Sequence, residues 1–111
     1  MDQNEYASAA DACLAAITDW LADVEDLDLT TRDGLVQIEF DDGARYVVNR
    51  QGAARQMWLA AGARAWHYDL DTATGEWLDD RDHHNLRDRL VELVSDKVGR
   101  ALPFRAPRKG S

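Results

Sequence analysis

Residues 35–48 read Leu35-Val36-Gln37-Ile38-Glu39-Phe40-Asp41-Asp42-Gly43-Ala44-Arg45-Tyr46-Val47-Val48. Val36, Ile38 and Phe40 alternate with Gln37 and Glu39, which is the period of a strand with one buried face. Asp42-Gly43 supplies residues that tolerate positive φ, so the chain reverses there, and Tyr46 and Val48 continue the inward face on the way back. The pattern predicts an antiparallel hairpin, and the sequence on either side repeats it. Upstream, Leu27 and Leu29 flank Asp28, and Asp33-Gly34 joins that run to the next. Downstream come Met57 and Leu59, then Trp66 and Tyr68, then Trp77 after the Thr74-Gly75 turn.

Beyond both ends of this meander the period changes. From Asn4 to Val24 the apolar residues Tyr6, Ala10, Cys13, Ile17, Leu21 and Val24 recur at steps of three and four, the mark of a helix with one buried stripe. From about Asp82 the same step returns in Leu86, Leu90, Leu93 and Val94, with Gly99 where a C-terminal cap would stand. The prediction is an α+β fold: a two-layer sandwich with two helices on one face of a five- to six-stranded antiparallel sheet. One domain is expected over residues 1–104. Leu102-Pro103-Phe104 is apolar enough to tuck against the helices, and residues 105–111 are expected to form a disordered tail.

The net charge of −8 is unevenly placed. Residues 1–42 hold twelve acids against Arg32 alone, whereas the remainder holds nine acids and twelve bases. Such an acidic half repels nucleic acid and anionic membranes and attracts cations or a basic protein surface. No apolar run approaches a membrane span, no leader pattern opens the chain, and the lone Cys13 suits a reducing compartment, so a cytoplasmic location is expected. No nucleophile stands with a base and an orienting group, and no glycine-rich phosphate loop is present, so no catalytic residue is assigned.

The series Asp33 to Gly43, then Tyr46-Val47-Val48-Asn49-Arg50-Gln51, Gln56-Met57-Trp58-Leu59-Ala60, His67-Tyr68-Asp69 and Glu76-Trp77-Leu78 resembles the signature of the frataxin family, specifically its bacterial, CyaY-type branch. The likeness runs from about Glu5 to Phe104. Two departures stand out: Gly52-Ala53-Ala54 replaces a proline usual after Asn-Arg-Gln, and Arg87 stands where an aromatic is common. The resemblance implies iron (Fe2+ or Fe3+) held on an acidic ridge, association with a cysteine desulfurase and an iron–sulfur scaffold protein, regulation of cluster assembly, and a monomer when metal-free.

The residues give this reading a physical basis. Asp19, Asp23 and Asp26 follow at steps of four and three, which would align them on one exposed face of the last turns of the first helix, with Glu25 and Asp28 at the junction to the first strand. Like charges at that spacing, at the negative end of a helix dipole, oppose stability. The bland alternative is a solvated acidic face kept for solubility. As ligands, carboxylates suit hard cations, and without an enclosing loop they bind weakly and exchangeably. Trp58 alternates with the inward Met57 and Leu59, so it belongs on the face away from the helices, with Glu39, Asp41, Asn49, Gln56, His67 and Asp69. An aromatic ringed by polar groups has the composition of an interface hot spot, and the resemblance marks Asn49, Gln51 and Trp58 as scaffold contacts. His83 and His84, beside Asp79, Asp80 and Asp82, are read as a helix start in preference to a metal site. Cys13, Trp66, Tyr68 and Trp77 are read as core. Two other functions stay open: a ferroxidase that oxidises iron on the ridge, and an acidic interaction protein that needs no metal.

Overall fold

The computed structural model describes residues 2–104; the expected tail at 105–111 lies outside them. Helix α1 spans Gln3–Leu21, followed by strands β1 (Leu27–Arg32), β2 (Leu35–Phe40), β3 (Arg45–Gln51), β4 (Gln56–Ala61), β5 (Arg64–Asp71) and β6 (Glu76–Asp79), and then helix α2 (Leu86–Val98). The strands pair antiparallel in the order β1-β2-β3-β4-β5-β6, each with its neighbours in sequence. Gly34, Gly43 and Gly75 take positive φ in the three turns where the sequence puts a glycine after Asp or Thr.

Alternation along each strand becomes rows across the sheet. One inward row runs Val36, Val48, Leu59, Trp66 and another runs Arg50, Met57, Tyr68, Asp79. Val36, Ile38, Val48, Met57, Leu59 and Tyr68 are buried, and both helices cover this face with Tyr6, Ala10, Leu14, Ile17, Trp20, Leu21, Leu86, Leu90, Leu93 and Val94. The Tyr6 hydroxyl donates to the Gln56 carbonyl at 2.8 Å and its ring meets Trp77 edge-on at 6.0 Å, so α1 is tied to β4 and β6 by one side chain. Asp2 caps α1 through the Glu5 N–H, Asn85 caps α2 through the Arg87 N–H, and Gly99 closes α2 in the left-handed region.

Three expectations need correction. α1 stops at Leu21, with Ala22 as its cap, three residues before Val24. Asp23, Glu25 and Asp26 crowd the position where the helix dipole is negative, so ending before them relieves a repulsion that a longer helix would carry. The stripe also shifts: Leu14 and Trp20 are buried, while Cys13 and Val24 are half-buried. Cys13 faces a groove between the helices that Ala9, Ala12 and Ala16 are too small to fill. Trp66, read as core, is half-buried beneath the guanidinium groups of Arg64 and Arg89, at 5.0 and 5.1 Å from its ring centre.

The tail segment tucks in as expected. Trp20 donates its indole N–H to the Pro103 carbonyl at 3.0 Å and its ring packs on Phe104 at 5.2 Å. Arg87, where an aromatic is common, lays its guanidinium over Phe104 at 5.2 Å and so replaces a ring with a cation–π contact.

Burial pushes the Cys13 thiol up to about 12. At pH 8 the thiolate fraction is then about three orders of magnitude below that of an unperturbed cysteine. Alkylation of the native chain by iodoacetamide is expected to be slower than that of the urea-unfolded chain by a comparable factor. Equal rates would mean that the groove leaves the thiol open.

Candidate functional site

The acidic segment runs from the last turn of α1 through a loop to the strand edge, and is not a single helix face. Asp19 is exposed on the last turn of α1, Asp23 and Glu25 are exposed in the connection to β1, Asp26 is half-buried in the same connection, and Asp28 is exposed on β1. Asp28 lies directly opposite Glu39 on β2, which lies opposite Arg45 on β3, its ion-pair partner at 3.7 Å. The register thus joins Glu39 to the ridge residues across one strand pair. Exposed Asp41 follows at the end of β2.

Part of the acidic half is already neutralised by the basic half. Asp26 is paired with Arg100 and Asp42 with Lys97, two cations at the end of α2. Arg50 reaches both Asp11 on α1 and, at 3.0 Å, Asp33 in the β1–β2 turn. Those hydrogen bonds and charges, Asp11 first, raise the Arg50 pKa above its ordinary value. Asp19, Asp23, Glu25, Asp28 and Asp41 have no ion-pair partner among the described residues. They lie on the end of α1, the connection to β1, β1 itself and the turn after β2, an anionic rim at the β1 end of the sheet.

The outer sheet face carries the second set. Asn49 and Gln51 point outward while Arg50 between them points inward, so the Asn49-Arg50-Gln51 triplet divides between two faces. Asn49, Trp58 and His67 form one cross-strand row. Trp58 is half-buried because its indole stacks on the His67 ring at 4.4 Å and 24°, and its N–H donates to Gln56 Oε1 at 3.0 Å. Gln56 in turn donates to Asp69 at 3.1 Å and Asp80 at 3.2 Å. The expected outward register holds, and the tryptophan is held in a defined orientation. The next row, Val47, Ala60, Ala65, is low in relief, leaving the indole raised beside it.

The histidine pair divides. His83 is exposed at φ 64°, whereas His84 turns back over the sheet and meets the Tyr68 hydroxyl at 2.7 Å. Residues 80–84 are a loop, and α2 begins only at Leu86. The expected helix start at Asp82 is displaced because Leu78 bridges Asn85 and closes residues 79–84 into a turn. Sequence reasoning missed Arg50 as a clamp and Asp79 as a buried carboxylate; the inward parity of both positions was the available signal.

Lys97 hydrogen-bonded to Asp42 holds that carboxyl below the usual carboxylate range, and the same contact raises Lys97. A depressed carboxyl contributes stability above its unfolded value of about 3.9 that is lost as pH falls through the folded one. A raised amine contributes below about 10.4 and loses it as pH rises through the folded value. The Lys97→Gln variant should therefore be less stable than wild type on a plateau between these limits, with the gap closing in acid. NMR titration of the Asp42 carboxyl in the variant should return it towards 3.9. An unchanged titration would show the pair to be absent in solution.

Residues 1–100 match the family model for the frataxin-like domain. The iron-sulfur cluster assembly protein CyaY of Ectopseudomonas mendocina (strain ymp) is 31% identical over 105 residues, covering 94% of this chain and 96% of that one. The protein of the same name from Dechloromonas aromatica (strain RCB) is 36% identical over 107 residues, covering 95% and 100%. Among solved structures, frataxin from Psychromonas ingrahamii superposes with a TM-score of 0.86 at 25% identity, covering 95% and 99%. Trimeric frataxin from the yeast Saccharomyces cerevisiae, complexed with ferrous, gives 0.71 at 29% identity, covering 83% and 87%.

Proposed function

The chain belongs to the frataxin family, and from that premise we propose that it serves iron–sulfur cluster assembly as a regulator or adaptor that carries iron weakly and docks on the cysteine desulfurase and its scaffold. One observation supports the iron reading above all: Asp19, Asp23, Glu25 and Asp28 keep their carboxylates exposed and without an ion-pair partner among the described residues, although the chain has cations enough to pair others. Asp26, bound to Arg100, is the ridge member that iron would have to win from a side chain. Carboxylate oxygens are hard donors suited to Fe2+ and Fe3+, and an open edge leaves most coordination positions to water. Affinity is then low and exchange fast, which suits delivery or sensing better than storage.

Docking is assigned to the outer sheet face. The anionic rim, continued by Glu39 and Asp41, steers a basic desulfurase surface, since summed charge raises association rates more than it raises affinity. Trp58, with Asn49 and Gln51, provides the short-range anchor for the scaffold, because a pre-oriented aromatic loses little conformational freedom when it is buried. A cytoplasmic setting and a metal-free monomer fit this reading.

Two experiments test the two halves. In the Asp19→Asn, Asp23→Asn, Asp28→Asn variant, Asp26 is left intact so that the Arg100 contact survives. Fe2+-induced NMR shifts along residues 19–28 should vanish, and desulfurase association should slow and lose much of its salt dependence. Stability should change by about 0.5 kcal/mol or less per site. Wild-type iron binding by this variant would place the metal elsewhere. For docking, Trp58→Ala should cost about 2 kcal/mol or more in binding to the scaffold or the desulfurase–scaffold assembly. Losing the stack on His67 should lower folding stability by only about 0.5–1.5 kcal/mol. Full binding by the folded variant would remove Trp58 from the interface.

A further inference from the structure

At the sheet edge opposite the acidic rim, Asp79, Asp82 and His84 each bring a carboxylate oxygen or ring nitrogen within 4.8 Å of the other two. β6 delivers Asp79 at the end of the inward row Arg50, Met57, Tyr68, Asp79. The turn through residues 80–84 then carries Asp82 and His84 back beside it, closed by the Asp79 N–H on the His84 carbonyl at 2.8 Å.

Two observations separate this constellation from an ordinary acidic cluster. First, Asp79 is only 3% exposed, the one buried charged side chain among the described residues, and no cationic side chain pairs with it there. Its Oδ2 takes the backbone N–H groups of Arg81 and Asp82, and its Oδ1 accepts no hydrogen bond from a described residue. Because no fully buried side-chain oxygen among the described residues lacks a partner, Oδ1 is the atom that reaches the surface. A carboxylate so withdrawn from water is stabilised by a cation far more than an exposed one is.

Second, the imidazole is set from outside the cluster. The hydroxyl of fully buried Tyr68 lies 2.7 Å from His84 Nε2, and the Tyr68 and Trp66 rings stand edge-on to it at 5.3 and 6.4 Å. At 2.5 Å from an acceptor-only carboxylate oxygen, Nδ1 carries the proton and donates it to Asp82, while Nε2 accepts from the Tyr68 hydroxyl. A metal ion at Nδ1 takes the place of that proton, and the ring then holds its remaining proton on Nε2, where the phenol oxygen accepts it. An outer-nitrogen hydrogen bond of this kind orients a ligating histidine.

We propose that Asp79, Asp82 and His84 Nδ1 form a second metal site, for one borderline divalent transition-metal ion such as Zn2+ or Fe2+, with Tyr68 as the residue that positions the imidazole. Water completes the coordination. One imidazole among carboxylates favours such ions over Ca2+ and Mg2+, which prefer oxygen alone. The site is independent of the ridge: five inter-strand spacings put the β6 edge about 24 Å from the β1 edge.

The test is a titration of the full chain with Zn2+ alone, following imidazole 15N and backbone amide resonances. The expected result is a saturable change at His84 Nδ1, with amide shifts over residues 79–85, that Ca2+ does not reproduce. Tyr68→Phe removes one hydroxyl and keeps the ring, and should weaken Zn2+ binding by about 10–100-fold. Asp82→Asn, at an exposed position, and His84→Gln should weaken it at least as much. The Asp19→Asn, Asp23→Asn, Asp28→Asn variant should bind at this site like wild type. No change at His84, a change that survives Asp82→Asn, or ligation through His83 would each overturn the proposal. Should His84→Gln fail to fold, Asp82→Asn and Tyr68→Phe still decide it.

Discussion

Register in the six-stranded sheet is the constraint on which everything else in this chain depends. Because side chains alternate with a period of two, a slip of one residue in any strand would send Val36, Val48, Leu59 and Tyr68 into water and Asn49, Trp58 and His67 under the helices. Tight turns fix each strand against the next, four of the five with a glycine at positive φ and the β3–β4 turn with Arg55 there, and the two helices seal one face only. The other face is thereby released from core duty. That asymmetry gives the protein a two-sided sheet, one side apolar and filled, the other free to carry amides, carboxylates and a stacked indole.

The charge distribution follows from the same geometry. Arg50 sits on the inward parity of β3, at the rim where packing gives way to solvent, and so it reaches Asp11 on one element and Asp33 on another. Gly34 beneath it leaves room, since a Cβ there would stand 2.8 Å from the Arg50 Nε. At the other end Lys97 and Arg100 lie near the acidic connection and pair with Asp42 and Asp26. With Arg45 on Glu39, the basic half of the sequence thus pairs with the acidic half through four cations without covering the carboxylates along the β1 edge. Exposed pairs of this kind contribute little stability individually, and their main consequence is to decide which acids remain available to a cation or a partner.

The two edges offer different ligand chemistry. At β1 the donors are carboxylates alone, exposed and unenclosed, a setting for weak binding of a hard ion. At β6 the donors are two carboxylates and an imidazole held by a buried phenol, with one carboxylate nearly withdrawn from water. Between them the Trp58–His67 stack occupies the middle of the outer face. Family membership speaks to the pathway, while the separation of these three features on one sheet is what lets each be tested without disturbing the others.

The sequence by itself determined the α+β class, the antiparallel meander, the order of its strands, the outward position of Trp58 and the concentration of acid in the first 42 residues. Period, turn chemistry and composition are local, and locality is what a linear reading can see. Tertiary structure decided what depends on distant chain segments. The end of α1 before Asp23 removed the shared helix face on which Asp19, Asp23 and Asp26 were expected, because repulsion at a helix terminus is relieved by stopping the helix. Arg50, Lys97 and Arg100 chose which acids to neutralise across separations of 17 to 74 residues. Asp79 and His84 became neighbours of Tyr68 only when β6 paired with β5 and the following turn folded back. No spacing rule predicts such contacts, since they arise where rows of the sheet bring together residues that the chain keeps far apart.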